Sequence, residues 1–293
     1  MILMDKPEIT QEAVFRACIS GIGDIPSRTR CEAIADDLLD GEVQYSEMAA
    51  HKRLYLAQAH ARGGDHFRVI LDATRKDLKA LYSKQMVPAT KLARNFYDKI
   101  KMSAKGNICP YCSLGAVETL DHFLPKGRYS PYSILPLNLI PSCRDCNTVK
   151  ADEICTLDNA TSHPYFEDRE VMHDEWLRAE IIELDEVHAA YTVVPPSHWP
   201  IERSERIKNH FSALELSRRY GVQAATRLPF YADLISSMRK NQSSRAIASI
   251  LASFVTAEVK AGGENSWQAA LAKAVVRSNH FQESGYLQCV PRP

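Results

Sequence analysis

In its 293 residues the chain carries 36 basic and 36 acidic side chains, 45% hydrophobic and 25% charged residues, and a formal net charge of zero. That is the composition of an ordinary globular protein, long enough for one large domain or two smaller ones, and the overall charge gives no sign of a polyanion partner. No stretch reaches the ~18 apolar residues of a membrane span, and Met1–Ile19 lacks a signal-peptide apolar run, so a cytoplasmic setting with no membrane is expected.

Charge is uneven along the chain. Residues 101–150 hold six basic and three acidic side chains, 151–190 two and twelve, and 203–245 nine and three. Such alternation suits nucleic acid binding at the basic stretches and equally suits solvated helix faces.

Residues 9–104 read as helical almost throughout. Thr10 caps a helix over 12–19, and Asp24-Ile25-Pro26-Ser27 breaks it. Ser27 then caps a helix to residue 39, ended by Asp40-Gly41, and apolar spacing predicts further helices over 46–61, 66–82 and 90–103. From residue 106 the pattern changes. Segments 116–124 and 134–141 read as strands joined by a proline-punctuated connection, and a helix runs from 144 to about 152. A β-hairpin is expected from strands at 176–182 and 189–194, turning across Leu184-Asp185-Glu186, then four helices over 202–220, 224–242, 245–260 and 266–279. The expected fold is α+β, mainly α. Its divisions are a helical region over 1–105, a small core over 106–155 and a mostly helical region over 156–293.

Chemistry concentrates in the middle segment. Cys109/Cys112 and Cys143/Cys146 are two Cys-x-x-Cys pairs, the ligand pattern of a four-thiolate zinc site. Thirty residues, 113–142, separate the pairs, against ~15–20 in a simple zinc ribbon, so the metal staples the ends of an inserted unit. The lone Cys18, Cys31, Cys155 and Cys289 read as small hydrophobes in a reducing compartment. Within the stapled unit His122 is suited to take a proton near neutral pH. Asp121 and Asn147 offer oxygen ligands of the sparse kind that suits Mg²⁺ or Mn²⁺. Asn147 and Lys150 are three apart on one predicted helix, which would let Lys150 touch a phosphate while Asn147 holds the ion. Adjacent strand residues face opposite ways, so Asp121 and His122 share a site only at a strand end or bulge. Lys126 and Arg128, in the loop beside His122, are candidate phosphate contacts. Tyr129 and Tyr132 read as packing over the hairpin, and His163 as a loop cap.

The segments Cys109-Pro-Tyr-Cys112, Leu120-Asp121-His122-Phe123-Leu124-Pro125, Leu137-Asn138-Leu139-Ile140 and Cys143-Arg-Asp-Cys146-Asn147-Thr-Val-Lys150 together resemble the HNH, or ββα-metal, endonucleases in their zinc-stapled subgroup. The resemblance covers about 45 of the 293 residues. It implies a nucleic-acid phosphodiesterase, DNA favoured, in which His122 is the general base, Asn138 braces the connecting loop, Asp121 and Asn147 hold the catalytic Mg²⁺ or Mn²⁺, and the four cysteines hold structural Zn²⁺. The family's last position is often His, and Asn147 stands there in this chain. Phe96-Tyr97-Asp98-Lys99-Ile100 and His163-Pro164-Tyr165-Phe166 look like the flanks of HNH proteins paired with ATPases in bacterial anti-phage systems such as the Septu type. That implies an ATPase partner. The alternative reading of the same residues is a zinc-organised nucleic-acid or partner adaptor without catalysis.

Overall fold

The computed structural model describes residues 1–61, 63–150, 152–183 and 187–289. Among these, helices dominate and the strands form three short antiparallel pairs, so the fold is α+β, mainly α. The chain divides into two compact units, Ile2–Glu167 and Asp168–Pro293, the latter joined by Met1.

In the first unit α1 (Gln11–Ser20) starts where expected, with Thr10 Oγ1 accepting from the Ala13 N–H at 3.3 Å. Helix α2 (Ile25–Glu32) is capped by Asp24, whose carboxylate accepts from the Ser27 N–H at 2.9 Å; Ser27 itself is not the cap. The chain then breaks at Ala33–Ile34, and α3 (Ala35–Ala50) runs straight through Asp40-Gly41. A mid-helix glycine costs ~1 kcal/mol, and burial of Leu38, Tyr45 and Ala49 on one stripe of α3 outweighs it. Beyond Ala50 a single 3₁₀ turn, Leu54–Leu56, replaces most of the helix expected to residue 61.

The helix expected over 66–82 is also interrupted. Strand β1 (Arg68–Ile70) folds back on β2 (Ala73–Thr74) around Leu71, whose φ is +48°. Thr74 and Asp77 then form a reciprocal capping box that starts α4 (Arg75–Ala80), which continues as a π-helical turn, Leu81–Met86. Leu78 and Leu81 of the apolar stripe are buried, whereas Phe67 and Leu71, where the helix is interrupted, are exposed. Helix α5 (Arg94–Met102) leads toward the first cysteine pair.

Strands β3 (Thr119–His122) and β4 (Leu139–Ser142) pair with Thr119 opposite Ser142 and His122 opposite Leu139, and α6 (Arg144–Val149) follows. Both strands are shorter than the sequence suggests. The expected end of this helix includes residue 151, outside the described residues. Leu120, Ile134 and Leu139 of this ββα segment lie in one hydrophobic core with Val14, Phe15, Cys18, Leu78, Leu81 and Met86. The division expected at 105/106 therefore crosses a continuous core, each such side chain contributing ~1.5–3 kcal/mol by burial. Residues 156–167, placed by sequence with the C-terminal region, belong to this unit and bring His163 with them.

In the second unit α7 (Glu170–His173) precedes β5 (Leu177–Glu183) and β6 (Val187–Val193), paired in register from Leu177 opposite Val193 to Glu183 opposite Val187. The expected turn residues 184–186 lie outside the described residues. Leu177, Ala179, Ala189 and Tyr191 are buried, so the alternation reflects one covered face. Helices α8 (Ile201–Ala213), α9 (Leu216–Arg239), α10 (Ser244–Gly262), α11 (Trp267–Arg277) and α12 (Asn279–Glu283) complete the unit. The α8–α9 break falls at Glu215, with φ +51°, rather than after residue 220.

Candidate functional site

The four cysteines converge. Their sulfur atoms all lie within 4.8 Å of one another, every one buried. Cys112 Sγ and Cys143 Sγ are 3.8 Å apart, close to the edge of a tetrahedron whose corners are ~2.3 Å from its centre. Two backbone devices bring the pairs together. After Cys109 the chain turns sharply, with Cys109 N–H donating to Gly115 O at 2.9 Å and Ser113 at φ +56°. Gly115 abuts the second pair, since a Cβ there would stand 2.8 Å from Cys143 Cβ. Cys143 is also the N-cap of α6, its Sγ accepting from Cys146 N–H at 3.5 Å. Four thiol sulfurs so crowded would repel as thiolates unless a cation lay among them, so the donor set fits a bound metal ion.

The second site is an open cleft of about 280 Å³ lined by Lys79, Asp121, His122, Pro125, Lys126, Gly127, Asn147 and Asp152. It thus gathers Asp121, His122 and Asn147 on one gap. Strand β3 ends at His122, and the strand end is what lets adjacent residues border the same space. Asn147 is exposed on α6, whereas Asp121 and His122 are 5% and 6% exposed.

Each buried side chain is held by named partners. Asp121 Oδ2 accepts from Tyr111 Oη at 2.8 Å and Lys150 Nζ at 2.6 Å. Asp121 also borders the cleft. His122 Nε2 lies 2.8 Å from Ser133 O. A carbonyl only accepts, so Nε2 carries the proton and Nδ1 is the basic nitrogen. The Tyr82 ring, on the π-helical turn, meets the imidazole edge-on at 4.4 Å. Burial, with the charges of Lys126 and Lys150 nearby, pulls the His122 pKa down to about 3, against the opposing pull of the Ser133 hydrogen bond. The ring is therefore neutral across the physiological range.

Asn138 is fully buried and saturated. Its Oδ1 accepts from Leu124 N–H at 2.7 Å, and its Nδ2 donates to Leu124 O at 3.0 Å and Tyr132 O at 3.1 Å. It thus clasps both ends of the β3–β4 connection.

Three expected substrate contacts divide. Lys126 borders the cleft beside Tyr82, 5.3 Å from that ring's centre, and burial lowers its pKa. Lys150 does not project toward a phosphate. Its side chain is 12% exposed and donates to Asp121, to His122 O at 3.3 Å and to Phe123 O at 3.0 Å. The spacing from Asn147 was right, but α6 turns Lys150 back onto the strand end. Arg128 is 8% exposed and does not line the cleft, because the turn closed by Arg128 N–H and Pro125 O folds it inward. Its Nε and Nη1 are buried with no hydrogen-bond partner among the described residues.

Lys79 and Asp152 border the cleft without having been singled out by sequence. Lys79 arrives from α4, forty-two positions before Asp121, and pairs with Asp65 at 2.9 Å. Asp152 lies against Gly127, where a Cβ would stand 2.9 Å from the carboxylate carbon. The glycine between Lys126 and Arg128 is the one trace of that approach in the sequence. His163, read as a loop cap, is 5% exposed, with its ring 4.1 Å from that of Phe123.

Among the described residues no helix is long and apolar enough to cross a membrane. No family model matches the chain, and no solved structure matches it. The chain is similar to protein ea31 of Escherichia phage lambda, 25% identical over 287 residues, which span 94% of this chain and 97% of that protein.

Proposed function

We propose that the protein is a metal-dependent endonuclease that hydrolyses nucleic-acid phosphodiesters, DNA favoured, at the Asp121–His122–Asn147 cleft, and that its four cysteines hold structural Zn²⁺. The observation that carries the reading is the pairing of a neutral imidazole, its Nδ1 left unprotonated by the Ser133 contact, with oxygen donors of Asp121 and Asn147 on one gap. Those oxygens suit Mg²⁺ or Mn²⁺, which would supply charge stabilisation for the leaving oxygen.

The chain's own residues would do the rest. His122 Nδ1 takes a proton from water as the water oxygen bonds to phosphorus, and the bond from phosphorus to the leaving sugar oxygen breaks, that oxygen taking a proton from solvent in the open cleft. Ser133 O, hydrogen-bonded to Nε2–H, steadies the imidazolium that results. Lys79 and Lys126 bring positive charge to the cleft for the phosphate. Lys150 acts on Asp121 rather than on substrate.

The test is digestion of plasmid and total RNA with Mg²⁺, Mn²⁺ or EDTA. Cleavage in metal and none in EDTA is expected, and His122→Ala should lower the rate by ~10²–10⁴-fold with the cysteine-bound metal retained. Full activity in His122→Ala would end the assignment.

A second reading has an observation in its favour: Lys150 neutralises Asp121 at 2.6 Å and His122 is nearly covered. A zinc-organised adaptor would show nucleic-acid or partner binding and no cleavage with any divalent ion. The flanking motifs extend the nuclease proposal to a cytoplasmic anti-phage effector held in check by an ATPase partner. Co-purification with an ATPase encoded beside it tests that, and a constitutively active protein without such a partner argues against it.

A further inference from the structure

Tyr45, on α3, sits 93 positions before Asn138 and 118 before His163 in sequence, yet its hydroxyl touches both. Tyr45 is fully buried and packs edge-on against Tyr132, with ring centres 5.1 Å apart. Its hydroxyl lies 3.0 Å from Asn138 Oδ1 and 3.1 Å from His163 Nε2. The backbone N–H of Tyr165 donates to His163 Nδ1 at 3.2 Å.

One proton arrangement satisfies all of these contacts. Asn138 Nδ2 already faces the carbonyls of Leu124 and Tyr132, so Oδ1 is the atom facing Tyr45, and it only accepts. The single hydroxyl proton of Tyr45 therefore goes to Asn138. Its oxygen must then accept from His163, which places a proton on Nε2. That leaves Nδ1 bare, as the Tyr165 N–H requires. The contacts form a one-way chain: Tyr165 to His163, His163 to Tyr45, Tyr45 to Asn138.

The chain ends on the groups that set His122. Asn138 fixes Leu124, two residues after His122, and Tyr132, the residue before Ser133. Ser133 O is the acceptor that selects the His122 tautomer. The His163 ring lies on Phe123, the residue next to His122. We infer that Tyr45 and His163 are positioning residues for His122, joining α3 and the 163–166 turn to the orientation of the imidazole. This deepens the nuclease proposal and rests on it for its catalytic consequence; the orientation itself is measurable without any activity.

The experiment uses the full-length chain labelled with ¹⁵N-histidine, reading ring tautomers by NMR alongside steady-state cleavage. Wild type should show His122 and His163 each as a single Nε2–H tautomer. Tyr45→Phe keeps the ring and removes the link, so His122 should lose its single-tautomer pattern. The kcat should fall by about tenfold or more, as misplacement of a reacting group does, with KM unchanged. His163→Ala should reproduce this. His163→Gln, which can set an amide donor near the Nε2 position, should restore the His122 pattern at least in part. An unchanged His122 signal in Tyr45→Phe overturns the inference, whatever the activity. Should that variant not fold, His163→Ala against His163→Gln decides on the same signal, and a His122 pattern indifferent to both overturns it. Absence of cleavage in wild type would sink the nuclease proposal while the tautomer arm still judges the positioning claim.

Discussion

The cysteine clip and the His122 cleft lie on the same ββα segment and are built in opposite ways. The clip draws its ligands from two local pairs, each brought to geometry by a tight turn or a helix cap. The cleft takes its walls from segments far apart: Lys79 from α4, Asp121 and His122 from β3, Asn147 from α6 and Asp152 beyond it. A site made by local turns should depend on its own ligands. A site made by packing should depend on residues that touch nothing reactive.

The largest effect should come from the clip. Cys143→Ser removes one sulfur from the set, and because metal-site binding energy is folding energy, the first unit should lose its cooperative thermal transition and release metal to a chelating dye. An unchanged melting curve would show that the clip staples nothing. Next comes the ion pair behind the cleft. Lys150→Met leaves Asp121 buried beside Tyr111 without its cation, a loss of about 3 kcal/mol by analogy with broken buried pairs, readable in urea unfolding. A loss below ~0.5 kcal/mol, the size of a surface pair, would make Lys150 a solvated side chain available to substrate after all.

The smallest effect is a pH dependence. Burial, then the charges of Lys150 and Lys6, holds the His163 pKa well below its ordinary 6.5. Between that lowered value and 6.5 the unfolded chain binds a proton that the folded chain refuses. Stability is therefore fully present above about pH 6.5 and falls as pH drops below it, by ~1.4 kcal/mol per pH unit for this group. His163→Gln should flatten that slope relative to wild type in parallel urea titrations from pH 7 to 5. An identical slope would mean His163 is not kept neutral by the fold.

The same contrast explains what the sequence disclosed. The Cys-x-x-Cys pairs announced themselves, and the structure brings all four sulfurs together. Asp121, His122 and Asn147 were legible as types, and the strand end that reconciles the first two was foreseen as one of two solutions. Gly41 shows the limit in the helices: a stop signal in the sequence sits inside α3 because the apolar stripe around Tyr45 is buried. The stripe at 66–82 erred the other way: Leu78 and Leu81 are covered, but the chain turns back at Leu71 and leaves Phe67 and Leu71 exposed.

By itself the sequence determined the helix-rich class, the two cysteine pairs and the residue types at the cleft, because these depend on composition and on spacing over a few residues. Tertiary structure decided the direction of each long side chain. Lys150 turns onto Asp121 and Arg128 turns inward because nearby backbone and carboxylate groups hold or enclose them. It also decided that Tyr45 and His163 meet at Asn138. Hydrogen bonds act over about 3 Å of space, and nothing in the order of residues records which distant side chains will come within it.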